Sequence, residues 1–176
     1  MTLSGNLASM ACALPYACAA QLAHPDRQVI CFAGDGGFSM LMAEMATAVK
    51  YKLPIKCVII KNDYYGMIKW EQMVFLGNPE FGVDLQPIDF VMAARAFGVE
   101  AFHLENPEQA GDVVERFLHS PGPAVLEAVV DPRTAPLPAK IRAKQAFHFV
   151  ESLLRGQPEA KEIMRAAFKD KIRQVV

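Results

Sequence analysis

The stretch "QVICFAGDGGFSM", residues 28–40, decides the fold. Its first six residues are apolar after Gln28 and include β-branched members, three glycines and one aspartate follow, and apolar residues then resume. A continuous apolar run, as opposed to an alternating one, is the pattern of a strand buried on both faces. Gly34, Gly36 and Gly37 permit positive φ and a close backbone approach. From Phe38 onward the chain reads as a helix, so strand, turn and helix make a βα unit, the building block of parallel sheets.

Three further runs repeat the strand pattern: "IKCVIIK" (55–61), "VEAFHL" (99–104) and "AVLEAVV" (124–130). Helical segments are expected between them. Residues 38–51 end in Lys50 and Lys52 with Pro54 beyond, which suits a helix C-terminus. Residues 87–97 open on a proline and close before Gly98, and residues 107–119 open on a proline and close before Pro121. The text in front, "LSGNLASMACALPYACAAQLA", is also helical. The expected fold is α/β, a doubly wound, mostly parallel sheet with helices on both faces. It occupies residues 1–131. After Asp131 proline punctuation gives way to charged helical text, so residues 132–176 are expected to be a linker and C-terminal helices, one to about Leu154 and one from about Pro158. That tail would pack on the domain or on a partner.

Composition removes several function classes. A net charge of -1 gives no electrostatic reason for a nucleic-acid partner. No run reaches the roughly 20 apolar residues of a membrane span, and the start lacks a basic signal-peptide region, so a cytoplasmic protein is expected. Cys12, Cys18, Cys31 and Cys57 show no Cys-x-x-Cys spacing, and Cys31 and Cys57 read as core residues. The four histidines share no metal or triad spacing. Opening directly on helical text suggests a fragment or a separately encoded subunit.

In doubly wound sheets ligands bind beyond the carboxyl ends of the strands. Both "GDGG" and "NDYYG" fall there. A glycine turn before a helix offers N–H groups to a phosphate. The dinucleotide fingerprint fails, because Ser39 stands at its last glycine and the second strand ends in Lys61 and Asn62 instead of an acid. No Walker sequence is present. Asp35 would repel a bare phosphate, and a divalent cation between them removes the conflict. Mg²⁺ takes oxygen ligands octahedrally, commonly one or two from protein with phosphate and water completing the shell. The side-chain carbonyl of Asn62, at the end of the next strand, supplies a fitting neutral oxygen.

"GDG" at 34–36 with Asn62 at the end of the following strand resembles the signature of the thiamine diphosphate (ThDP) enzymes. "SGNLASMACALPYACAAQLAHPDRQVICFAGDGGFSM", "DFVMAARAFGVEAF" and "GPAVLEAVV" are similar to the cofactor-binding C-terminal domain of the pyruvate oxidase and acetolactate synthase group. The resemblance implies Mg²⁺ held by the side chains of Asp35 and Asn62 and the main-chain carbonyl of Tyr64. It places Gly36, Gly37 and Gly66 against the ThDP diphosphate, Gly34 and Tyr65 among the cofactor-binding residues, Met10 as support for the bent cofactor, and the backbone around Ala8 and Met10 at the aminopyrimidine. One departure is Lys61, where the group usually has a first asparagine.

The same resemblance implies a 2-keto acid substrate, with pyruvate first, and a decarboxylating oxidase or quinone-reducing dehydrogenase. Glu71 and Met67 would face the substrate. It also implies a pyrimidine-binding domain carrying an activating glutamate, on the same native chain or a partner subunit, a homo-oligomer, and for oxidases an FAD held mainly elsewhere. This chain alone would catalyse little or nothing. An acetolactate synthase-type carboligase and a non-catalytic assembly module stand as alternatives. The tail resembles that of the quinone-reducing enzymes, with Ile163, Ala167, Ile172 and Val176 able to line one helix face. Residues 158–176 could therefore touch a membrane surface or simply pack as a helix. Glu127, inside an apolar run, is expected to be a satisfied strand-end acid.

Overall fold

The computed structural model describes residues 2–134 and 142–173, with side chains up to Lys169. Its elements in chain order are α1 (Ala13–Ala23), β1 (Ile30–Gly34), α2 (Asp35–Leu41), α3 (Met45–Lys50), β2 (Lys56–Lys61) and α4 (Gly66–Phe75). They continue with α5 (Phe90–Ala96), β3 (Glu100–Leu104), α6 (Ala110–His119), β4 (Ala124–Val129), α7 (Ala143–Leu154) and α8 (Ala160–Arg173). The chain forms two units, one from residues up to 62 together with 86–130, the other from 63–85 together with residues from 131 on.

The first unit holds a four-stranded parallel sheet in the order β1-β2-β4-β3. Register sets Cys31 beside Cys57, and Ile59 beside Glu127. On one face Leu14, Ala17, Cys31, Phe38, Ile59 and Phe90 form a continuous core with their neighbours, Phe38 meeting Phe90 edge to face with ring centroids 5.6 Å apart. On the other face α6 contributes Val113 and Phe117 against Val58, Ala124 and Leu126. Helices thus cover both faces, which favours apolar residues in the central strands, with Lys56 in β2 and Glu127 in β4 as buried charged exceptions.

Three local features depart from the sequence reading. The expected helix 38–51 is broken: Leu41 leaves the helical region at φ −132, a 3-10 turn covers Met42–Glu44, and α3 restarts with Thr47 Oγ1 donating to Glu44 at 2.7 Å. Strand β1 is not buried on both faces, since Ile30 is 42% and Phe32 69% exposed. It is an edge strand, and the helix on that face, α6, packs on β3 and β4. Finally, Lys56 inside β2 is buried, its Nζ donating to the Ser120 carbonyl at 2.8 Å and the Gly122 carbonyl at 2.6 Å. Burial pushes its ammonium below the usual lysine range, against the pull of Glu100.

In the second unit α4 packs on α7, and Trp70, Met73, Val74 and Ile163 make a small core with Phe149 and Leu153 beside it. Of the apolar stripe expected on the last helix, Ile163 is buried here and Ala167 is half-buried. The side chains of Ile172 and Val176 lie outside the described residues. Among those residues no helix is long and apolar enough to cross a membrane.

Candidate cofactor-binding site

Asp35 is the first residue of α2 and is 4% exposed. A buried carboxylate is costly unless its oxygens are satisfied. Here Oδ1 accepts the N–H of Gly36 and Oδ2 the N–H of Asn62, both at 2.9 Å. One side chain therefore spans two consecutive strand ends, the turn after β1 and the residue after β2. The parallel register makes this possible, because Gly34 pairs with Ile60 and so sets the two loops side by side. A carboxylate offers about four lone-pair sites on its two oxygens, enough to accept N–H donors and to face a cation.

Gly37 acts through close approach, and none of the three glycines acts through backbone hand. None of Gly34, Gly36 and Gly37 has positive φ, contrary to the expectation from sequence; Gly34 sits at φ −71 as the N-cap of α2. At Gly37 a Cβ would lie 2.8 Å from the carbonyl oxygen of Met10 and 3.7 Å from the Met10 Cβ. The missing side chain is what lets α2 meet the backbone of the Met10–Cys12 turn. Just before that turn Ala8 takes the left-handed conformation, φ +50, closed by its N–H to the Ser4 carbonyl at 3.1 Å. Such strain in a non-glycine residue persists only where its surroundings impose it. Ala8, Met10, Gly34, Asp35, Gly36, Gly37 and Asn62 thus belong to one unit.

Tyr64, Tyr65, Gly66, Met67 and Glu71 belong to the other. The loop before α4 is held like a short antiparallel ladder: Tyr64 bridges Asp84, Tyr65 N donates to the Val83 carbonyl, and Leu85 N donates to the Asp63 carbonyl, both at 2.8 Å. Asp63 takes φ +59 to enter it. On α4, Met67 and Glu71 stand one turn apart on the exposed face, Met67 at 61% exposed, while Lys69, Trp70, Met73 and Val74 face inward. Lys69 is buried, its Nζ 2.6 Å from the Glu80 carboxylate and 4.4 Å from the centroid of the Tyr64 ring. Burial, reinforced by the charges of Glu80, Glu159, Asp84 and Asp63, holds the Tyr64 phenol above its usual range.

Sequence reasoning missed Lys69 and Glu80, because a lysine on a helix and an acid in a loop carry no local signal of burial. It also left the partners of Glu127 open. That carboxylate, 5% exposed, accepts the Phe90 N–H at 3.0 Å and pairs with His103 Nδ1 at 2.9 Å, so it is satisfied and anchors the start of α5.

A phosphate-bearing cofactor with a divalent cation fits this donor set: a buried acid, an asparagine at the adjacent strand end, and a glycine contact between backbones. The comparisons bear on the phosphate-bearing cofactor. The sequence profile "Thiamine pyrophosphate enzyme, C-terminal TPP binding domain" matches residues 1–128, and the chain belongs to this family. Over 173 residues it is 38% identical to the Bacillus subtilis (strain 168) protein YdaP, whose name proposes that it contains thiamine pyrophosphate; the match covers 98% of this chain and 30% of that one. It is 40% identical over 148 residues to the pyruvate oxidase of Lactiplantibacillus plantarum, 82% of this chain and 24% of the oxidase. It is 35% identical over 129 residues to acetolactate synthase isozyme 1 large subunit of Escherichia coli (strain K12), 73% of this chain and 23% of that subunit. The chain therefore spans less than a third of the length of these relatives.

Proposed function

We propose that residues 1–131 hold Mg²⁺ and the diphosphate of ThDP for a 2-keto acid decarboxylating oxidase, with pyruvate as first substrate. The observation that carries this reading is the buried Asp35 carboxylate joining the loops after β1 and β2. Asp35 and Asn62 would give side-chain oxygens to the metal. The third ligand would be the Tyr64 carbonyl, which covalent geometry keeps within about 7 Å of Asn62, two residues away. Gly36, Gly37 and Gly66 would border the diphosphate, Ala8 and Met10 the aminopyrimidine, and Gly34 and Tyr65 would be among the cofactor-binding residues. When bound, ThDP supplies the electron sink that decarboxylation requires. The protein's own part is to orient the diphosphate through the metal and to present Glu71 and Met67 toward the substrate.

The full enzyme would add a domain with the glutamate that activates the aminopyrimidine, would assemble as a homo-oligomer in the cytoplasm, and as an oxidase would carry FAD mainly on another domain. Residues 132–176 would pack as a helical tail. The match to acetolactate synthase supports a second reading, a carboligase that uses the same cofactor site. Calorimetric titration of the chain with ThDP, with and without Mg²⁺, tests the part common to both. Metal-dependent ThDP uptake is expected, with no response to NADH; NADH uptake, or ThDP uptake indifferent to metal, would overturn it.

A further inference from the structure

Glu80 joins two parts of the second unit at a single atom. Its Oε2 receives the Lys69 ammonium at 2.6 Å and the Gln157 side-chain amide at 2.8 Å. Gln157 lies between α7 and α8, is 4% exposed, and returns a second bond by accepting the Glu80 N–H on Oε1 at 2.8 Å. Beside it Arg155 donates to the Asn78 side chain at 3.2 Å. The α7–α8 junction therefore grips residues 78–80 at three points. Lys69, fixed by Glu80, places its ammonium 4.4 Å from the centre of the Tyr64 ring, within the range of a cation–π contact that strengthens when water is excluded.

The consequence falls on the Tyr64 backbone. The bonds from Tyr65 N to Val83 and from Leu85 N to Asp63 flank the Tyr64–Asp84 pair. In an antiparallel ladder that arrangement turns the N–H and C=O of the flanked residue away from the partner segment. The carbonyl of Tyr64 is thus aimed by the ladder, while its ring faces the Lys69 ammonium.

We propose that Glu80 and Gln157 are positioning residues for the metal site, acting through Lys69 on the direction of the Tyr64 carbonyl, so that the α7–α8 junction belongs to the cofactor machinery. This rests on the reading of Tyr64 as the main-chain ligand. Partners one step behind a metal ligand commonly affect metal affinity by 10–100-fold, and Glu80 and Gln157, which act at a further remove through Lys69, belong at the low end of that range. Mg²⁺ demands near-octahedral geometry, whereas Ca²⁺ accepts variable geometry and ligand number. A loosened Tyr64 carbonyl should therefore penalise Mg²⁺ selectively, while a loss of folded protein would weaken both ions alike.

The test is ThDP affinity of the full chain measured calorimetrically with Mg²⁺ and with Ca²⁺, for wild type, Gln157→Ala, Glu80→Gln, Lys69→Arg and Asp35→Ala, each checked for native circular dichroism. Gln157→Ala and Glu80→Gln are expected to lose roughly tenfold with Mg²⁺ and under about twofold with Ca²⁺. Lys69→Arg, which must fit a larger, planar guanidinium between the ring and Glu80 in the same buried place, should lose Mg²⁺ affinity as Glu80→Gln does. Equal losses with the two ions, or no loss with Mg²⁺, would overturn the positioning role while metal-dependent binding in the wild type and its loss in Asp35→Ala leave the cofactor reading standing. Absence of that wild-type response would refute the cofactor reading, and this inference with it.

Discussion

Replacing Gly37 by alanine puts the packing of the candidate site to a quantitative test. The new Cβ would lie 2.8 Å from the Met10 carbonyl oxygen and 3.4 Å from its carbon. Ordinary contact begins near the second distance, so helix α2 and the Met10–Cys12 turn must separate by about half an ångström. Both sides are backbone, and no flexible side chain can swing aside. Overpacking of this kind costs about 1–3 kcal/mol. With a urea m-value of about 2 kcal/mol/M, a cost near 2 kcal/mol lowers the unfolding midpoint by about 1 M. Gly34→Ala is the internal control. Its Cβ would meet nothing within 4 Å and its φ of −71 suits any residue, so the midpoint should move by less than about 0.3 M. Because the displaced backbone is that of Met10, Gly37→Ala should also weaken ThDP binding while Gly34→Ala unfolds as wild type. An unchanged midpoint for Gly37→Ala, or equal shifts for both variants, would refute the argument that the third glycine serves a backbone contact.

Other outcomes follow from buried polar groups. Glu127→Ala strands the Phe90 N–H beneath α5 and should cost about 1–3 kcal/mol in chemical denaturation, whereas Glu127→Gln, which keeps an acceptor, should cost less. Stability should fall at alkaline pH: the hydrogen bond to Cys31 and burial raise the Cys57 thiol well above its ordinary 9.0, so beyond about pH 9 the unfolded chain releases a proton that the folded chain retains. That contribution is intact below pH 9 and is lost at about 1.4 kcal/mol per further pH unit until the folded value is reached. Cys57→Val should flatten the decline in urea midpoints measured between pH 8 and pH 10. Lys56 acts in the opposite sense, since its lowered value means that stability is regained as pH rises from that value towards 10.5. Lys56→Met should therefore steepen the alkaline loss.

The strands were legible because their interior is apolar on both faces: the run 55–61 becomes β2 at Lys56–Lys61, and the run 124–130 becomes β4 at Ala124–Val129. The same rule overshot at β1, where Phe32 is as apolar as a core residue but lies on an uncovered part of an edge strand. The break at Leu41 had no glycine or proline to announce it. Of the candidate site, the Asp35–Asn62 relation could be read because each residue follows a strand and adjacent parallel strands align their ends. The Lys69–Glu80–Gln157 connection could not, since Glu80 and Gln157 are 77 residues apart and their pairing depends on how α4 packs on α7. Lys56 was hidden for the same reason: its acceptors are backbone carbonyls at Ser120 and Gly122, which no side-chain pattern records.

The central claim is that Asp35 makes a glycine turn into a metal-dependent diphosphate site. Asp35→Asn tests it most directly, since the substitution keeps the size of the side chain, removes its charge, and leaves one acceptor oxygen for the two N–H groups of Gly36 and Asn62. ThDP affinity should rise roughly tenfold or more on adding Mg²⁺ to the wild-type chain, a gain of about 1.4 kcal/mol or greater, and should be insensitive to Mg²⁺ in a natively folded Asp35→Asn variant. A metal response retained in that variant would contradict the claim.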